Sequence, residues 1–448
     1  YACCSTKFYL NKSKNILDLE ESLYLTHVSD LIENNREKIC KSLNTAKVSE
    51  TEKGVFSETN KFMKKGENYI QGAVLFANGL IARPFLFEKV NKSSRLGKHS
   101  YQVIDFIPSI QFNEEYRKKL AFQSYLLYFY LGFMPNNCKM INIKQEILEF
   151  NPVSIFEDIR KIINEIKRID YENEKPLPFI NRHCKICRWK NKCFSECIER
   201  KDISLLFGVT RETKTIFNNN NIDSIENMAN LDTQKIELLK KDGLRNAHFL
   251  IKQAHSYVTK TPEIINIPKL PKRNVAIYFD IEGQIDLNFQ YLFGIYNEED
   301  FEYKSFWADE INDEKAAFFT LVKYLSKIKK YTLFHYGSYE KTAIRELCFK
   351  YNLPDKLGES LQNSMIDIYS ILKKCVAIPV YSYSLKEVGK YLGFEWRDKD
   401  ALGVNSIVWH NNWIRTKNTQ FKDRLLVYNE DDCKATKFVK QWLENYCK

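Results

Sequence analysis

The sequence predicts an α/β protein in which two mixed α/β domains flank a short helical connector. The apolar run Val275–Phe279 leads directly into two carboxylates, as expected for a buried strand at the core of a domain. Further strand and helix patterns follow this run in βββαβα order. Three prolines shortly before it mark an extended linker: Pro262, Pro268 and Pro271. We therefore expect three regions: 1–200, 201–271 and 272–448.

Length, hydropathy and charge narrow the class of protein. With 448 residues and 44% hydrophobic content, the chain can form roughly two or three domains with packed cores. None of its apolar runs is long enough to cross a bilayer and no secretory signal is visible, so we expect a cytoplasmic protein without a membrane partner. The chain opens at Tyr1 without an initiator Met, which suggests a trimmed or partial N-terminus. A net charge of +11 is compatible with a nucleic-acid partner.

The cysteines predict a bound inorganic centre. Twelve cysteines in a chain without a secretory signal favour metal or cluster ligation over disulfides. Three of them stand within ten residues, in a C-x2-C-x5-C pattern: Cys184, Cys187 and Cys193. A tetrahedral site needs a fourth ligand, which is either Cys197 nearby or one of Cys3 and Cys4 at the start of the chain. A local zinc site is the simplest interpretation of the pattern itself.

Residues 1–200 resemble the RecB-like branch of the PD-(D/E)XK nucleases that carries a [4Fe–4S] cluster. In that branch one cysteine follows an aromatic residue near the start of the domain, and a C-x2-C-x5-C run closes it. The resemblance implies four cluster ligands, with Zn²⁺ as the alternative cofactor: Cys4, Cys184, Cys187 and Cys193. Such a cluster would join the two ends of the domain, so its loss should unfold this half.

The nuclease site of that branch is incomplete in this chain. The family uses an Asp, then a D/E-x-K motif, then a Gln and a Tyr on a helix. This chain keeps Asp105 and Gln123 but has Pro84, Ile107 and Leu127 in place of the first Asp, the Lys and the Tyr. A lone Asp cannot hold the metal, and no Lys remains to stabilise the developing charge. We expect a catalytically degenerate site.

The connector, residues 201–271, shows short apolar helical patterns separated by turns, with Gly243 at a helix break. This pattern suggests a module similar to helix-hairpin-helix, which can present backbone amides to phosphates. A plain helical spacer remains an equal alternative.

The C-terminal region concentrates acidic residues in three separated segments. Asp280 and Glu282 share one face of a strand. Two carboxylates at such a short distance repel each other unless a cation lies between them. Glu340 follows a later strand, and Tyr428 and Asp432 share one face of the last helix. Such a set predicts two divalent ions, Mg²⁺ or Mn²⁺, in a site that hydrolyses phosphodiesters. Tyr428 would orient the attacking water or the phosphate.

This region resembles the DEDD exonucleases of RNase H-like fold, in their tyrosine subtype. The histidine subtype would need His where this chain has Val427. The middle acid departs from the family because Glu340 stands where Asp is usual. Asp367 is the reserve ligand, although a helix N-cap is an alternative role for it.

The whole chain resembles a family of predicted bacterial nucleases with a RecB-like cluster domain, a connector and an RNase H-like domain. Some members continue into a helicase; this chain lacks the Gly-rich loop of such motors, so any helicase would be a separate chain or a missing segment. The resemblance implies a 3′–5′ exonuclease acting on single-stranded nucleic acid, with a role in DNA repair. DNA is the favoured partner, but the sequence does not decide between DNA and RNA. Two alternatives stay open. One is a non-catalytic iron–sulfur adaptor in a repair or CRISPR-like assembly, and the other is an active N-terminal endonuclease in which Glu67 or Glu88 replaces the lost Asp.

Overall fold

A computed structural model of the chain divides into two compact units, which are described separately. The first unit comprises Tyr1–Leu177 with Ile186–Trp189, and the second comprises Pro178–Lys185 with Lys190–Lys448. The structure describes these residues: 4–12, 22–48, 55–109, 113–171, 174–241, 243–244, 246–271, 274–284, 287–398 and 403–448. Tyr1 and Cys3, which the sequence analysis considered, lie outside them.

The first unit combines helices with a mixed sheet. Its helices are α1 Ser5–Asn11, α2 Leu23–Leu43, α3 Val55–Lys65, α4 Glu114–Leu131 and α5 Phe156–Tyr171. Its strands are β1 Ala46–Lys47, β2 Tyr69–Gln71, β3 Leu75–Ala77, β4 Leu80–Ala82, β5 Leu86–Val90, β6 Ser100–Phe106, β7 Cys138–Ile141 and β8 Ile147–Phe150.

Strand β6 lies inside the six-stranded sheet of this unit, whose order is β1-β2-β5-β6-β7-β8. It runs antiparallel to β5 and parallel to β7, and α4 forms the crossover between β6 and β7. Asn113 caps the start of α4 through its side chain, and Gly132 ends the helix in the left-handed conformation. The sheet and its crossover helix bury an apolar core, while assignment to the PD-(D/E)XK class stays a prediction.

The second unit contains the remaining elements. Its helices are α6 Lys190–Glu199, α7 Arg211–Asn219, α8 Ile225–Ala229, α9 Thr233–Lys241, α10 Ala247–Thr259, α11 Glu314–Leu325, α12 Tyr339–Lys350, α13 Asp355–Asn363, α14 Ile368–Cys375, α15 Leu385–Leu392, α16 Gly403–Thr416 and α17 Thr419–Tyr446. Its strands are β9 Glu263–Ile264, β10 Val275–Gln284, β11 Phe289–Asn297, β12 Glu302–Trp307, β13 Tyr331–His335, β14 Met365–Asp367 and β15 Val376–Ala377.

Strand β10 is the centre of a five-stranded sheet with the order β12-β11-β10-β13-β14. The first three strands in the chain form an antiparallel meander, whereas β13 runs parallel to β10 and β14 runs parallel to β13. Alternate side chains of β10 enter different apolar clusters: Ile277, Phe279 and Ile281 enter one, and Tyr278 enters the other. Asp280 and Glu282 therefore continue the face of Tyr278 towards the end of the strand.

The segment before β10 packs onto the same unit rather than forming a free linker. Strand β9 pairs with β15, and Gln253 on α10 donates hydrogen bonds to the carbonyls of Ile378 and Val380 at 3.3 and 3.0 Å. None of the helices in the described part of the chain combines the length and the apolar character needed to cross a membrane.

Candidate active site

The end of β10 brings its two acids to the same place. Asp280 is half-buried, and Glu282 is 7% exposed. A β-bulge follows Glu282, where the pairing with β11 shifts register at Gly283. A Cβ atom on Gly283 would lie 2.0 Å from Oε1 of Gln290 and 2.6 Å from the hydroxyl of Tyr339, so this position requires glycine.

Helix α17 supplies the third acid. Asp432 is 7% exposed, and its carboxylate accepts a hydrogen bond from Nε1 of Trp396 at 2.6 Å and another from the hydroxyl of Tyr428. Asp280, Glu282 and Asp432 each place one carboxylate oxygen so that the three oxygens lie within 4.8 Å of one another. Residues about 150 positions apart in the chain thus converge at one end of the central strand.

Burial and mutual repulsion disfavour the charged forms of these acids. Burial is the largest cause that raises the pKa of Asp280, followed by the charges of Glu282 and Asp432. Burial also raises the pKa of Glu282 to about 8 and raises the pKa of Asp432. Three buried carboxylates without an equal number of nearby cations are unfavourable, and a divalent cation would relieve that cost.

Glu340 lies beside the triad but is not one of the three mutually close ligands. It is buried in the first turn of α12, and its Oε2 lies 3.3 Å from Nδ1 of the buried His335. Its charge contributes to the raised pKa of both Asp280 and Glu282, which places it in the same electrostatic environment. Burial is the largest cause of the raised pKa of Glu340 itself.

Asp367, the reserve ligand, makes local hydrogen bonds. Its carboxylate accepts from the backbone amide of Gly337 at 2.8 Å and from the hydroxyl of Ser370 at 2.5 Å. It occupies the N-cap position of α14, but its side chain makes no capping hydrogen bond to that helix's backbone. These bonds connect the loop after β13 to the start of α14.

Lys386 on α15 is a cation at this site that the sequence analysis did not identify. Its ammonium lies 4.4 Å from the centroid of the Tyr428 ring, and among the described residues it has no hydrogen-bond partner. Burial lowers its pKa to about 8, against the opposing charges of Asp432 and Glu282. No local pattern marks a lysine on a short amphipathic helix as part of a site, because its position depends on how α15 packs.

Asn429 is a second residue that the sequence analysis missed. Its side-chain amide donates to Oδ2 of Asp280 at 2.6 Å, and its oxygen accepts from the hydroxyl of Tyr303 at 2.8 Å. Gly294, which pairs with Asp280 across β11, leaves room for this contact, because a Cβ atom there would lie 1.5 Å from Oδ1 of Asn429. An isolated glycine inside a strand is the sequence signal that could have indicated such a close approach.

The donor set fits a hard divalent cation. The mutually close ligands are all carboxylate oxygens, which suit Mg²⁺ or Mn²⁺ better than softer metals. Neither a thiolate nor an imidazole belongs to this group of described residues. The arrangement can therefore hold Mg²⁺ or Mn²⁺ next to a phenol and an ammonium.

The predicted degenerate site of the first unit has a different character. Asp105 on β6 is 1% exposed, and its two oxygens lie 2.5 Å from a guanidinium nitrogen of Arg36 and 2.5 Å from the ammonium of Lys119. The amide of Gln123 donates weakly to the carbonyl of Arg83, at 3.5 Å. Its Oε1 is buried and has no hydrogen-bond partner in the described part of the chain.

Two of the four predicted cluster ligands accept local hydrogen bonds from backbone amides. The thiol of Cys4 caps α1 by accepting from the amide of Lys7 at 3.4 Å, and that of Cys184 accepts from the amide of Asn181 at 3.5 Å. Cys187 is half-buried, and Cys193 is buried on α6. The [4Fe–4S] cluster and its zinc alternative stay predictions.

One family model matches this chain, and its span lies within the second unit. A family model described as RNase_H superfamily matches residues 277–444, a span that begins in β10 and ends in α17. A solved structure of the family B DNA polymerase from the hyperthermophilic archaeon Pyrobaculum calidifontis is 18% identical, with a TM-score of 0.31. That match covers 39% of this chain and 25% of the polymerase chain. No curated protein gives a match. The family match alone indicates that the chain carries a C-terminal RNase H-like domain, and the acidic triad lies within the matched residues.

Proposed function

We propose that the RNase H-like domain is a metal-dependent nuclease that hydrolyses phosphodiester bonds of nucleic acid from the 3′ end. The observation that carries this proposal is the convergence of Asp280, Glu282 and Asp432 within 4.8 Å in a buried environment. Such a set costs stability unless it binds cations, so a purely structural role does not account for it.

In this proposal the three acids of the triad hold Mg²⁺ or Mn²⁺, and Glu340 contributes to a second ion. Divalent cations supply charge stabilisation for the transition state and lower the pKa of a water nucleophile. The buried His335 would act on the Glu340 carboxylate through their charges, because Nδ1 lies 3.3 Å from Oε2 and neither atom makes a hydrogen bond among the described residues. Asn429 fixes the rotamer of the Asp280 carboxylate.

Tyr428 and Lys386 act on the substrate rather than on the cations. The hydroxyl of Tyr428 is held by Asp432, so its ring is fixed in an orientation from which it can position a water or a phosphate oxygen. The ammonium of Lys386 has hydrogen-bonding capacity to spare and stands over that ring, where it can neutralise charge on the scissile phosphate.

The proposed direction of cleavage and the proposed class of substrate both rest on the sequence. The D-x-E and Y-x3-D motifs resemble those of 3′–5′ exonucleases, and the basic composition supports a nucleic-acid substrate. We propose single-stranded DNA as the preferred substrate, with RNA as the comparison in the same assay.

The test uses 5′-labelled and 3′-labelled DNA and RNA strands with Mg²⁺ or Mn²⁺. A 3′–5′ exonuclease gives a descending ladder from 5′-labelled strands and immediate release of short label from 3′-labelled strands. We expect Asp280→Asn to reduce cleavage by at least about 10³-fold, because one lost ligand removes the metal geometry. Asp423→Asn, on the exposed side of the same helix as Asp432, is the matched control and should cleave normally.

Three results would contradict the proposal. Absence of cleavage with either metal would favour the adaptor function. Cleavage that persists in Asp280→Asn but is lost in Asp105→Asn would assign activity to the N-terminal site. Cleavage in excess EDTA would exclude a divalent metal centre.

A further inference from the structure

The first unit contains a buried carboxylate, that of Asp105, which is paired with two cations. Asp105 lies at the end of β6, Arg36 reaches it from α2, and Lys119 reaches it from α4. The amide of Phe106 donates to Oδ1 of Asp105 at 2.9 Å, the same oxygen that Arg36 contacts. Oδ1 of this buried acid is therefore held by Arg36 and a backbone amide, whereas Oδ2 is in ion-pair contact with Lys119 and makes no hydrogen bond among the described residues.

A divalent metal ion does not fit this arrangement. It would have to displace both Arg36 and Lys119 from the carboxylate, and it would need at least one more acid nearby. Glu88 cannot be that acid, because it pairs with Gln102, three residues before Asp105, and so points to the opposite face of the sheet. Glu88 is also held by Lys139 at 2.8 Å. The structure therefore disfavours Glu88 as a substitute for the lost Asp.

Glu67 is a weak candidate for the same role. Its carboxylate lies 2.5 Å from the ammonium of Lys65, and its backbone carbonyl accepts from the buried Tyr101 hydroxyl at 2.8 Å. The acid is thus already paired with a neighbouring cation. Neither alternative acid leaves a vacant carboxylate to share a metal with Asp105.

The two cations and the one acid at this position have a net charge of +1. The positive side chains are the part of the group that faces solvent. Asp105 is only 1% exposed, whereas the side chains of Arg36 and Lys119 are 31% and 46% exposed. An approaching solute therefore meets the two cations and not the acid between them. Arg36 is further fixed by stacking over the Phe85 ring, 5.0 Å from its centroid. Its Nε is buried and, within the described residues, has no hydrogen-bond partner.

We propose that this site binds a phosphate of the nucleic-acid backbone without a metal ion. A fixed guanidinium beside an ammonium is the usual protein partner for phosphate oxygens. Asp105 acts here as a positioning residue that holds the two cations at the end of β6. The first unit would thus bind the nucleic-acid strand, while the RNase H-like domain would perform any cleavage. The binding itself does not depend on the proposed nuclease activity.

The experiment measures fluorescence anisotropy of a labelled single-stranded oligonucleotide with the intact chain in EDTA. Excess EDTA removes cleavage and divalent cations, so failure of the proposed nuclease leaves this measurement unaffected. Losing the one phosphate that this site neutralises should lower the salt slope by about 0.7 and weaken binding about fivefold at 0.1 M salt. We expect this result for the double variant Arg36→Gln, Lys119→Gln. Lys161→Gln, an exposed lysine on α5 of the same unit, is the matched control.

Asp105→Asn separates phosphate binding from a hidden metal site. Removing the acid leaves both cations and deletes their internal counter-charge, so binding in EDTA should be at least as tight as in the unmodified protein. A metal-dependent site predicts the opposite, with binding stimulated by Mg²⁺ and lost in Asp105→Asn. Circular dichroism and melting curves check that each variant is folded. If Asp105→Asn does not fold, the single variants Arg36→Gln and Lys119→Gln decide the question.

Inorganic phosphate distinguishes the two sources of the ligand. Competition by millimolar phosphate that is absent in the double variant supports a phosphate site on the bound strand. Saturable phosphate binding without any competition from the oligonucleotide would overturn the assignment to nucleic acid. A double variant that binds the oligonucleotide like Lys161→Gln would overturn the proposal as a whole.

Discussion

Asn429 shows how a single side chain can fix the orientation of an acid in the candidate site, Asp280. It bridges the carboxylate of Asp280 and the hydroxyl of Tyr303, at 2.6 and 2.8 Å. Gly294 makes the bridge possible because it presents no side chain at the point of closest approach. An acid whose rotamer is fixed in advance loses less conformational entropy when it binds a cation.

Replacing Asn429 by Ala should weaken metal binding more than folding. We expect the Mn²⁺ concentration for half-maximal cleavage to rise about 10- to 100-fold, with much of the rate recovered at high Mn²⁺. Tyr303→Phe should change it in the same direction by less, because the amide keeps its bond to Asp280. Gly294→Ala should behave like Asn429→Ala, since its Cβ would displace the amide. An unchanged metal titration in all three variants would contradict this role.

At the scale of elements, local periodicity was sufficient to find the acids. Asp280 and Glu282 are two apart on a strand, and Tyr428 and Asp432 are four apart on a helix, so each pair could be placed without knowing the fold. The βββαβα order predicted from Val275 onwards agrees with the order β10, β11, β12, α11, β13 and α12 in the structure.

Residues whose position depends on packing between elements could not be predicted in this way. Lys386 reaches the site only because α15 packs against α17, and Arg36 reaches Asp105 from a helix 69 positions earlier in the chain. The segment before β10 looked like a linker, yet β9 pairs with β15 across more than a hundred residues. Such contacts leave no periodic signal in the sequence, so only the structure reveals them.

The contact between β10 and α17 should make stability depend on pH and on metal. The pKa of Glu282 is about 8 in the fold, raised from 4.5. The folded state therefore binds the Glu282 proton more tightly than the unfolded state does. The resulting contribution to the free energy of unfolding is complete below pH 4.5 and is lost as pH rises towards 8. Lys386 does not oppose this trend below about pH 7, because it stays protonated in both states there.

We therefore expect the melting temperature in EDTA to fall between pH 5 and pH 8. Mg²⁺ should restore it more strongly at pH 8 than at pH 6, because the carboxylates must lose protons to bind the ion. Differential scanning fluorimetry with and without Mg²⁺ measures both effects. Glu282→Gln cannot titrate and should flatten the fall in EDTA. A melting temperature that rises with pH across this window in EDTA would show that the acids are charged in the metal-free fold.

At the scale of the whole molecule, the predicted cysteine-bound centre would connect residues from opposite ends of the N-terminal region. A cluster bound by Cys4 together with Cys184, Cys187 and Cys193 closes a loop of about 180 residues, which restricts the unfolded chain strongly. A local site that uses Cys197 instead closes only a short loop and would stabilise far less. Cys197 is buried, with its thiol 3.5 Å from the carbonyl of Pro178, and burial raises its pKa.

Substitution of the two competing cysteines decides between these arrangements. If a [4Fe–4S] cluster is bound, the anaerobically purified protein should be brown, with absorbance near ~400 nm. Cys4→Ser should lose most of this absorbance and the bound iron, and should lower the melting temperature, whereas Cys197→Ser should keep both. Loss of iron in Cys197→Ser with retention in Cys4→Ser would establish the local site. Stoichiometric zinc without iron would replace the cluster by a zinc centre, and the same two variants would then identify its fourth ligand.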